Sequence, residues 1–165
     1  MDNATSQHHL LYNVRLGIRY HMHRQAFFER WHRLTGIISL AGGSTAVVSV
    51  LANPMLAKAA GAAIALSQAV DLMVDTRKQA ELHRDLRRRY TLLEPRLTDT
   101  HLEQSELATI NENIKNIEIE EPPIKHWLMG LCQNETLTVM GRSQATDPES
   151  WTHIGWIRRL FVQWP

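Results

Sequence analysis

Histidine is the residue type in this chain with the broadest chemistry, because imidazole binds metals and transfers protons near neutral pH. The sequence of 165 residues contains nine histidines, and His21 and His23 flank a single methionine. On a helix these two side chains point to different faces, and the sequence has neither an HExxH motif nor a Cys/His pair at zinc spacing. The pattern predicts no metal site and no cofactor, and it favours a packing role for His23.

Nucleophilic chemistry has little support in the sequence. Cys132 is the single cysteine, so an internal disulfide is excluded and we expect a small buried thiol. The P-loop, GxGxxG and GxSxG motifs, which position phosphates, dinucleotides or a catalytic serine, do not occur. We therefore expect a protein that is not an enzyme, and a hydrolase using His83 or His23 is the least favoured alternative.

Charged residues form two short clusters in a chain whose formal net charge is only +1. One cluster is Arg87 to Arg89, and the other consists of Glu118, Glu120 and Glu121. Three arginines make a narrower basic surface than nucleic-acid binding requires, so we expect no nucleic-acid partner. The arginines are expected to contact anionic lipid or to pair with the acidic cluster of the same or a neighbouring chain.

The longest apolar block runs from Thr35 to Val74 and consists of two segments, 35–52 and 55–74, which meet at Asn53-Pro54. The first segment contains no charged residue, and about 17 to 25 apolar residues span a bilayer. The second segment carries Lys58 near the turn and several polar residues farther along. We predict that the two segments form membrane spans of an antiparallel hairpin.

Basic residues flank this block on both sides, and only Lys58 lies near the turn. The positive-inside rule then predicts that both termini are cytoplasmic. Aromatic and basic residues mix at the N-terminal end of the block, as they do at membrane interfaces, although an aromatic cluster in a protein core is an alternative. The expected interface anchors are Phe27, Phe28, Arg30, Trp31, Arg33, Arg77 and Lys78.

Small and polar residues within the block indicate contacts between helices. Small residues let helix backbones approach closely, which favours a homo-oligomer, and those expected at the contact are Gly36, Gly42, Gly43, Gly61 and Ala62. Polar groups there need partners across a helix contact. The candidates for lining a polar lumen or bonding between subunits are Ser67, Gln68 and Asp71. For Asp71 the alternative interpretation, an ordinary ion pair or a snorkelling side chain, is favoured.

Helical periodicity continues on both sides of the block. An amphipathic helix begins near Leu10, and a second one follows the block as far as Pro95, which we expect to end or kink it. The stripe of the second helix is predicted to pack on the first. It consists of Leu72, Asp75 or Thr76, Gln79, Leu82 or His83, Leu86, Tyr90 and Leu93.

Three shorter helices are predicted after Pro95: one carrying Leu107 to Ile117, one carrying Trp127 to Met140, and one that starts at Asp147-Pro148 and includes Trp151. The predicted fold is therefore all-α. Residues 1–97 form a long antiparallel hairpin with membrane spans and cytoplasmic extensions, and residues 98–165 form a cytoplasmic region of amphipathic helices.

Residues 10–97 resemble the SLATT-type two-transmembrane-helix domains of bacterial conflict systems. The similarity consists of a basic helix, a glycine- and alanine-rich hairpin and the segment QAELHRDLRRRYTLL at 79–93. The segment EPPIKHWLMGLCQNE at 121–135 resembles one found in membrane proteins of bacteria, phages and prophages. The resemblance implies an effector in the bacterial inner membrane that forms pores or perturbs the bilayer when a separate sensor protein detects infection.

Two functions remain open at this stage. The first is an oligomeric membrane protein that acts as such an effector, with itself, the lipid bilayer and a sensor as partners. The alternative is a soluble all-helical oligomeric scaffold, or a phage structural or assembly protein, whose apolar hairpin is buried in a bundle. Lys58, Gln68 and Asp71 within the second apolar segment favour this alternative.

Overall fold

A computed structural model describes residues 3–43, 54–99, 102–145, 148–153 and 155. The regular elements among these residues are all α-helices, with no strand, which confirms the predicted all-α class. In chain order the helices are α1 (Asn3–Gly43), α2 (Pro54–Val74), α3 (Thr76–Leu97), α4 (Gln104–Ile119) and α5 (His126–Val139).

Local sequence sets several of the helix ends. Pro54 is the first residue of α2, a position at which the missing amide proton costs nothing. At the start of α4 the backbone N–H of Glu103 donates to the carboxylate of Glu106 at 3.3 Å, which satisfies a donor that the helix leaves unpaired. The α3 helix ends at Leu97, two residues after Pro95 and close to the predicted break.

Contacts divide the chain into two compact units. Unit 1 comprises Met1–His23 and His83–Pro165, and unit 2 comprises Arg24–Leu82. We describe each unit separately.

In unit 1 the first half of α1 packs against α3. Arg15 donates from Nε to a carboxylate oxygen of Glu94 at 2.8 Å, and the side chain of Gln7 donates to the backbone carbonyl of Leu97 at 2.9 Å. The α3 residues of this unit that are buried are His83, Leu86, Tyr90, Leu93 and Leu97. Their three- and four-residue spacing confirms the predicted stripe in this part of the helix.

Helices α4 and α5 complete the core of unit 1. The buried residues of α4 are Leu107, Ile110, Ile114 and Ile117, which confirms the predicted apolar face. From α5, Leu128 and Cys132 pack with Tyr20 of α1. Helical spacing in the sequence therefore identified the buried face of α4. On α5 the buried residues also include Gly130, Asn134 and Thr136, which the apolar pattern does not mark.

The segment after α5 does not continue the helical pattern. Residues 148–153 form turns and extended chain, so the helix predicted to start at Asp147-Pro148 does not form there. The physical reason is a pair of hydrogen bonds with α5: the amide of Asn134 donates to the carbonyl of Thr152 at 2.7 Å, and its Oδ1 accepts from the N–H of Thr152 at 2.9 Å. These bonds occupy backbone groups that a helix would use. Asp147, Ile154 and residues 156–165 lie outside the described residues.

In unit 2 the second half of α1 lies beside α2. Gln68 donates from Nε2 to the backbone carbonyl of Thr35 at 3.1 Å, and His32 Nδ1 lies 3.5 Å from a carboxylate oxygen of Asp71. Because residue numbers fall along α1 as they rise along α2, the two helices run in opposite directions. Residues 44–53, which connect them, lie outside the described part of the chain, so the hairpin itself stays a prediction.

Asp75 separates α2 from α3 in a left-handed backbone conformation with φ of 48°. Helical hydrogen bonds continue on both sides of it: its N–H donates to Asp71, and Gln79 donates to its carbonyl. Its carboxylate also accepts from the backbone N–H of Lys78 at 3.3 Å. Aspartate tolerates this conformation because its short polar side chain bonds locally.

The predicted membrane spans at 35–52 and 55–74 are wrong. Among the residues that the structure describes, no helix has both the length and the apolar character needed to cross a membrane. In α2 the apolar sequence is interrupted by Lys58, Gln68 and Asp71, while alanine and glycine supply little apolar surface. Of the first predicted span, residues 44–52 are not described. The predictions of a transmembrane protein, of a pore and of an inner-membrane location are therefore wrong. The predicted orientation across the membrane depends on them and is wrong as well.

We expect Gly17→Ala to lower the free energy of unfolding by about 1–3 kcal/mol, because overpacking a buried contact forces neighbours apart. A Cβ atom at Gly17 would lie 2.9 Å from the ring of Tyr90, which is itself buried. Urea unfolding measures the change. The control is Asn13→Ala at an exposed position of the same helix, which should be neutral or stabilising through helix propensity. If Gly17→Ala stabilised the chain as much as Asn13→Ala does, the close approach of Tyr90 to Gly17 would be contradicted.

Candidate functional site

Two histidines meet in the core of unit 1. His21 on α1 and His83 on α3 are both fully buried, and their Nδ1 atoms lie 2.9 Å apart. A hydrogen bond between two imidazoles requires one nitrogen to carry the proton and the other to accept it. The two rings are therefore joined by one hydrogen bond, and the tautomer of each ring determines whether it is the donor or the acceptor.

Glu121 extends this pair into a chain of hydrogen bonds. Its Oε1 lies 3.0 Å from His21 Nε2 and accepts from the hydroxyl of Tyr90 at 2.8 Å. If Nε2 of His21 donates to the carboxylate, Nδ1 of a neutral His21 accepts from His83. Glu121 follows α4 and precedes two prolines, whose fixed φ angles restrict the backbone beside it.

Aromatic rings enclose the network. The ring of Tyr90 stacks on His21 with a centroid distance of 5.7 Å, and Tyr20 meets His21 edge to face at 5.4 Å. The hydroxyl of Tyr20 accepts from the backbone N–H of Lys125 at 3.0 Å. Burial raises the pKa of Tyr90 well above its ordinary value, and the nearby Glu121 carboxylate adds to the shift. Tyr90 therefore remains a hydrogen-bond donor at neutral and moderately alkaline pH.

A cavity of about 440 Å³ opens beside this network. Residues of its lining include Leu16, Tyr20, His21, Tyr90, Glu118, Glu121, Pro123 and Met129. Burial, together with the charge of Glu121, raises the pKa of Glu118. Among the described residues that line the cavity there is no serine, threonine, cysteine or lysine. The network can hold and share a proton, but the lining offers no hydroxyl, thiol or amine nucleophile other than tyrosine.

The predicted pairing of the basic and acidic clusters is confirmed for one arginine. Arg89 donates to a carboxylate oxygen of Glu120 at 2.8 Å, and it also binds Asp85 on its own helix at 2.7 Å. This ion pair lies next in sequence to Glu121 and links α3 to the same segment after α4.

A second polar group lies on another side of the unit 1 core. One donor atom from each of His23, Cys132 and Glu135 lies within 4.8 Å of the other two. Burial raises the pKa of the Cys132 thiol to about 12, and the Glu135 carboxylate contributes in the same direction. The sequence predicted a buried thiol and a packing histidine here, and it did not predict that they meet.

The small residues predicted to pack between spans do not meet another helix where they are described. Gly36, Gly61 and Ala62 are exposed, and a Cβ atom at either glycine would have no atom within 4 Å. Gly42 and Gly43 lie at the end of α1, and their surroundings are outside the described part. Their role in association therefore stays a prediction.

The polar residues predicted for a lumen or a subunit contact have partners within the chain. The hydroxyl of Ser67 donates to the carbonyl of Ile64 at 2.8 Å, and Gln68 bonds to α1 as described above. Asp71 accepts a hydrogen bond from the hydroxyl of Thr76 and lies near His32. Asp71 thus forms a local contact of the kind expected in the alternative interpretation, and an additional role between subunits is untested.

The predicted interface anchors do not form one site. Phe28 is buried, while Phe27 is about half-exposed and meets it edge to face at 5.4 Å. The guanidinium of Arg24 lies 4.6 Å from the centre of the Phe28 ring. The remaining anchors are partly buried (Arg30 and Trp31) or exposed (Arg33, Arg77 and Lys78).

The sequence did contain a signal for the histidine network. His21 continues the spacing of Val14 and Gly17 along α1, and His83 lies on the stripe of α3 with Leu86 and Tyr90. A polar residue on a buried stripe needs a hydrogen-bond partner. What the local pattern does not give is the identity of that partner, because His21 and Glu121 are 100 residues apart.

No protein-family model, curated protein or solved structure matches this chain. The resemblance to SLATT-type domains therefore stays a prediction, and function is argued from the structure alone.

We expect Tyr90→Phe to lower the free energy of unfolding at pH 7 by about 1–3 kcal/mol, because Glu121 loses a buried hydrogen-bond donor. The loss should shrink above pH 10. The unfolded wild-type chain loses the Tyr90 proton near the ordinary pKa of 10.0, whereas the folded chain keeps it. Wild-type stability therefore falls with rising pH, and the variant, which has no hydroxyl at this position, lacks that dependence.

Urea unfolding at pH 7 and above pH 10 measures both effects. Tyr12→Phe is the control for loss of a hydroxyl at a less buried position, and we expect it to change stability at pH 7 by no more than about 0.5 kcal/mol. If both substitutions lowered the free energy of unfolding equally at pH 7, the Tyr90–Glu121 hydrogen bond would contribute no more to stability than the hydroxyl of Tyr12.

Proposed function

We propose that this chain is a helical scaffold protein that assembles with copies of itself through α2, and that its role is structural rather than catalytic. In this proposal α1 and α2 form an antiparallel hairpin joined by residues 44–53. The observation that carries the proposal is the exposure of an apolar helix around most of its circumference.

Among the described side chains of α2, only one face is covered within unit 2. The partly buried positions are Ala60, Ile64, Ser67, Gln68 and Asp71. Their three- and four-residue spacing defines the single face that lies against α1. Outside this face Leu66, Leu72 and Met73 are 68%, 84% and 86% exposed. On α1 of the same unit, Ile37 and Leu40 are 65% and 81% exposed.

Among the described side chains outside the covered face of α2, all are apolar except Lys58, and a helix with apolar residues on several sides is normally buried in a larger structure. Helix α2 has 21 residues, so it is about 31 Å long, and the two-thirds of its surface that is uncovered amounts to roughly 700 Å². That area is close to the roughly 800 Å² that each partner contributes to a standard stable interface. Contiguous apolar patches of this size mark interaction surfaces.

Copies of the same chain suit this surface better than one foreign partner does. The exposed residues lie on more than one side of α2, so a single partner helix leaves part of them uncovered. Cyclic association places two different faces of each copy against its neighbours and covers both. Gly61 and Ala62, which are exposed, allow neighbouring backbones to approach closely.

The polar network of unit 1 supports a structural role. Both histidines are fully buried, and although His21 borders the cavity, its Nδ1 and Nε2 atoms already contact His83 and Glu121. A base must reach the proton that it abstracts, within hydrogen-bonding distance or through one water. The network instead joins α1, α3 and the segment after α4, as a stabilising set of hydrogen bonds does.

Sedimentation equilibrium tests the assembly. We expect the wild-type chain to associate in a concentration-dependent manner, and Leu66→Glu to raise the dissociation constant at least about tenfold because it buries a charge at the contact. The matched control is Leu92→Glu, since Leu92 in unit 1 is 64% exposed, close to the 68% of Leu66. Its association should equal that of the wild type.

Two outcomes contradict the proposal. One is a wild-type chain that stays monomeric in aqueous buffer at all concentrations, including one that instead binds phospholipid vesicles. The other is equal weakening of association by both substitutions, which would show that general solubility, and not the α2 surface, controls the measurement.

A further inference from the structure

The group formed by His23, Cys132 and Glu135 has the composition of a metal site. Cys132 and Glu135 are three residues apart on α5, which places them on the same face of the helix. His23 reaches them from α1, with Nε2 at 2.9 Å and 3.2 Å from the two carboxylate oxygens of Glu135. Nitrogen, sulfur and oxygen donors from two helices thus converge on one point.

The geometry is close to what a tetrahedral ion requires. All three donor atoms lie within 4.8 Å of one another. Ligand bonds of about 2.0–2.3 Å place the donors of a zinc ion roughly 3.3–3.8 Å apart. His23 Nε2 and the nearer carboxylate oxygen of Glu135 are only 2.9 Å apart, so an ion between them would move these two atoms slightly apart. Any longer separation in the group is at most 4.8 Å and would shorten by about 1 Å.

The surroundings provide both support and access. Cys132 is fully buried beside Tyr20 and Leu128, and its carbonyl accepts a hydrogen bond from Thr136 at 2.7 Å. The side chains of His23 and Glu135 are 21% and 38% exposed, so an ion can reach the group from solvent. Because two of the three ligands are partly exposed, water can also reach the group.

Charge also balances at this site. Thiolate and carboxylate together carry two negative charges, which neutralise a divalent cation and leave no net charge facing Arg19. Arg19 lies near this group, with its Nη1 3.5 Å from the hydroxyl of Thr136, the residue that follows Glu135 on α5.

We propose that His23, Cys132 and Glu135 bind one divalent transition-metal ion of the zinc class, with water in the fourth position. On binding, the sulfur–hydrogen bond of Cys132 breaks, a sulfur–metal bond forms, and the proton passes to solvent; no electrons are transferred. Mixed sulfur, nitrogen and oxygen ligands suit zinc and cobalt, whereas magnesium and calcium select oxygen ligands. The site is independent of the assembly through α2.

Cobalt(II) titration of the full chain, purified with chelator and then dialysed, tests the site. Because the chain has one cysteine, a thiolate-to-cobalt charge-transfer band reports Cys132 alone, whatever the other histidines bind. We expect the band to saturate at one cobalt per chain and to disappear when zinc is added. Cys132→Ser should abolish it.

His23→Asn and Glu135→Gln should each weaken cobalt binding more than about tenfold, since loss of a ligand exceeds the effect of losing a supporting contact. The control is His126→Asn, at an exposed position of α5, which should bind as the wild type does. Circular dichroism establishes that each variant is folded. No charge-transfer band in the folded wild type, or an undiminished band in both His23→Asn and Glu135→Gln, would overturn the proposal and leave a hydrogen-bonded pair beside an inert thiol.

Discussion

Burial of apolar surface along α2 is the constraint on which the account of this protein depends. One face of the helix is used by the contact with α1, where Gln68 and Asp71 have their partners. The other described side chains of α2 are exposed and, apart from Lys58, apolar. Covering even half of roughly 700 Å² is worth on the order of 9 kcal/mol per copy at about 25 cal/mol per Å², which is comparable to the estimated 4–15 kcal/mol cost of association. Association that covers two faces of α2 buries more than half of this area, so the hydrophobic free energy gained exceeds the cost of association. In a monomer the same surface stays in contact with water.

Unit 1 is stabilised in a different way, because its core contains polar groups that must be satisfied. The Tyr90 hydroxyl, the Glu121 carboxylate and His21 form consecutive hydrogen bonds at 2.8 Å and 3.0 Å. A buried polar group without a partner costs about 1–3 kcal/mol, so a shift of α1 along α3 that separates these atoms is penalised at several points at once. The network thus fixes the register of the helices as well as adding to stability.

The sequence predicted what depends on local spacing. The apolar stripes of α3 and α4 follow from three- and four-residue periodicity. The membrane interpretation failed because an alanine- and glycine-rich helix has the length of a span but less apolar surface than one built of leucine and isoleucine. Spacing alone does not distinguish a helix that faces lipid from one that faces other helices.

Contacts between distant residues were beyond what the sequence could supply. His21 and His83 are 62 residues apart, and His23 and Glu135 are 112 residues apart. Which of these distant partners a histidine meets depends on the face of α1 that the histidine occupies. His21 faces α3 and His23 faces α5, so their separation onto different helix faces was predicted correctly, but the conclusion that neither could take part in a site did not follow from it.

Distance measurement between copies tests the central claim most directly. A nitroxide label at position 66, introduced as Leu66→Cys in a Cys132→Ser background, reports the distance between α2 helices by pulsed dipolar electron resonance. The account predicts a defined short distance between labels, which disappears when the sample is diluted with excess unlabelled chain, and no such distance for a label at position 92. A signal from position 66 that shows only isolated labels at assembling concentrations would contradict it.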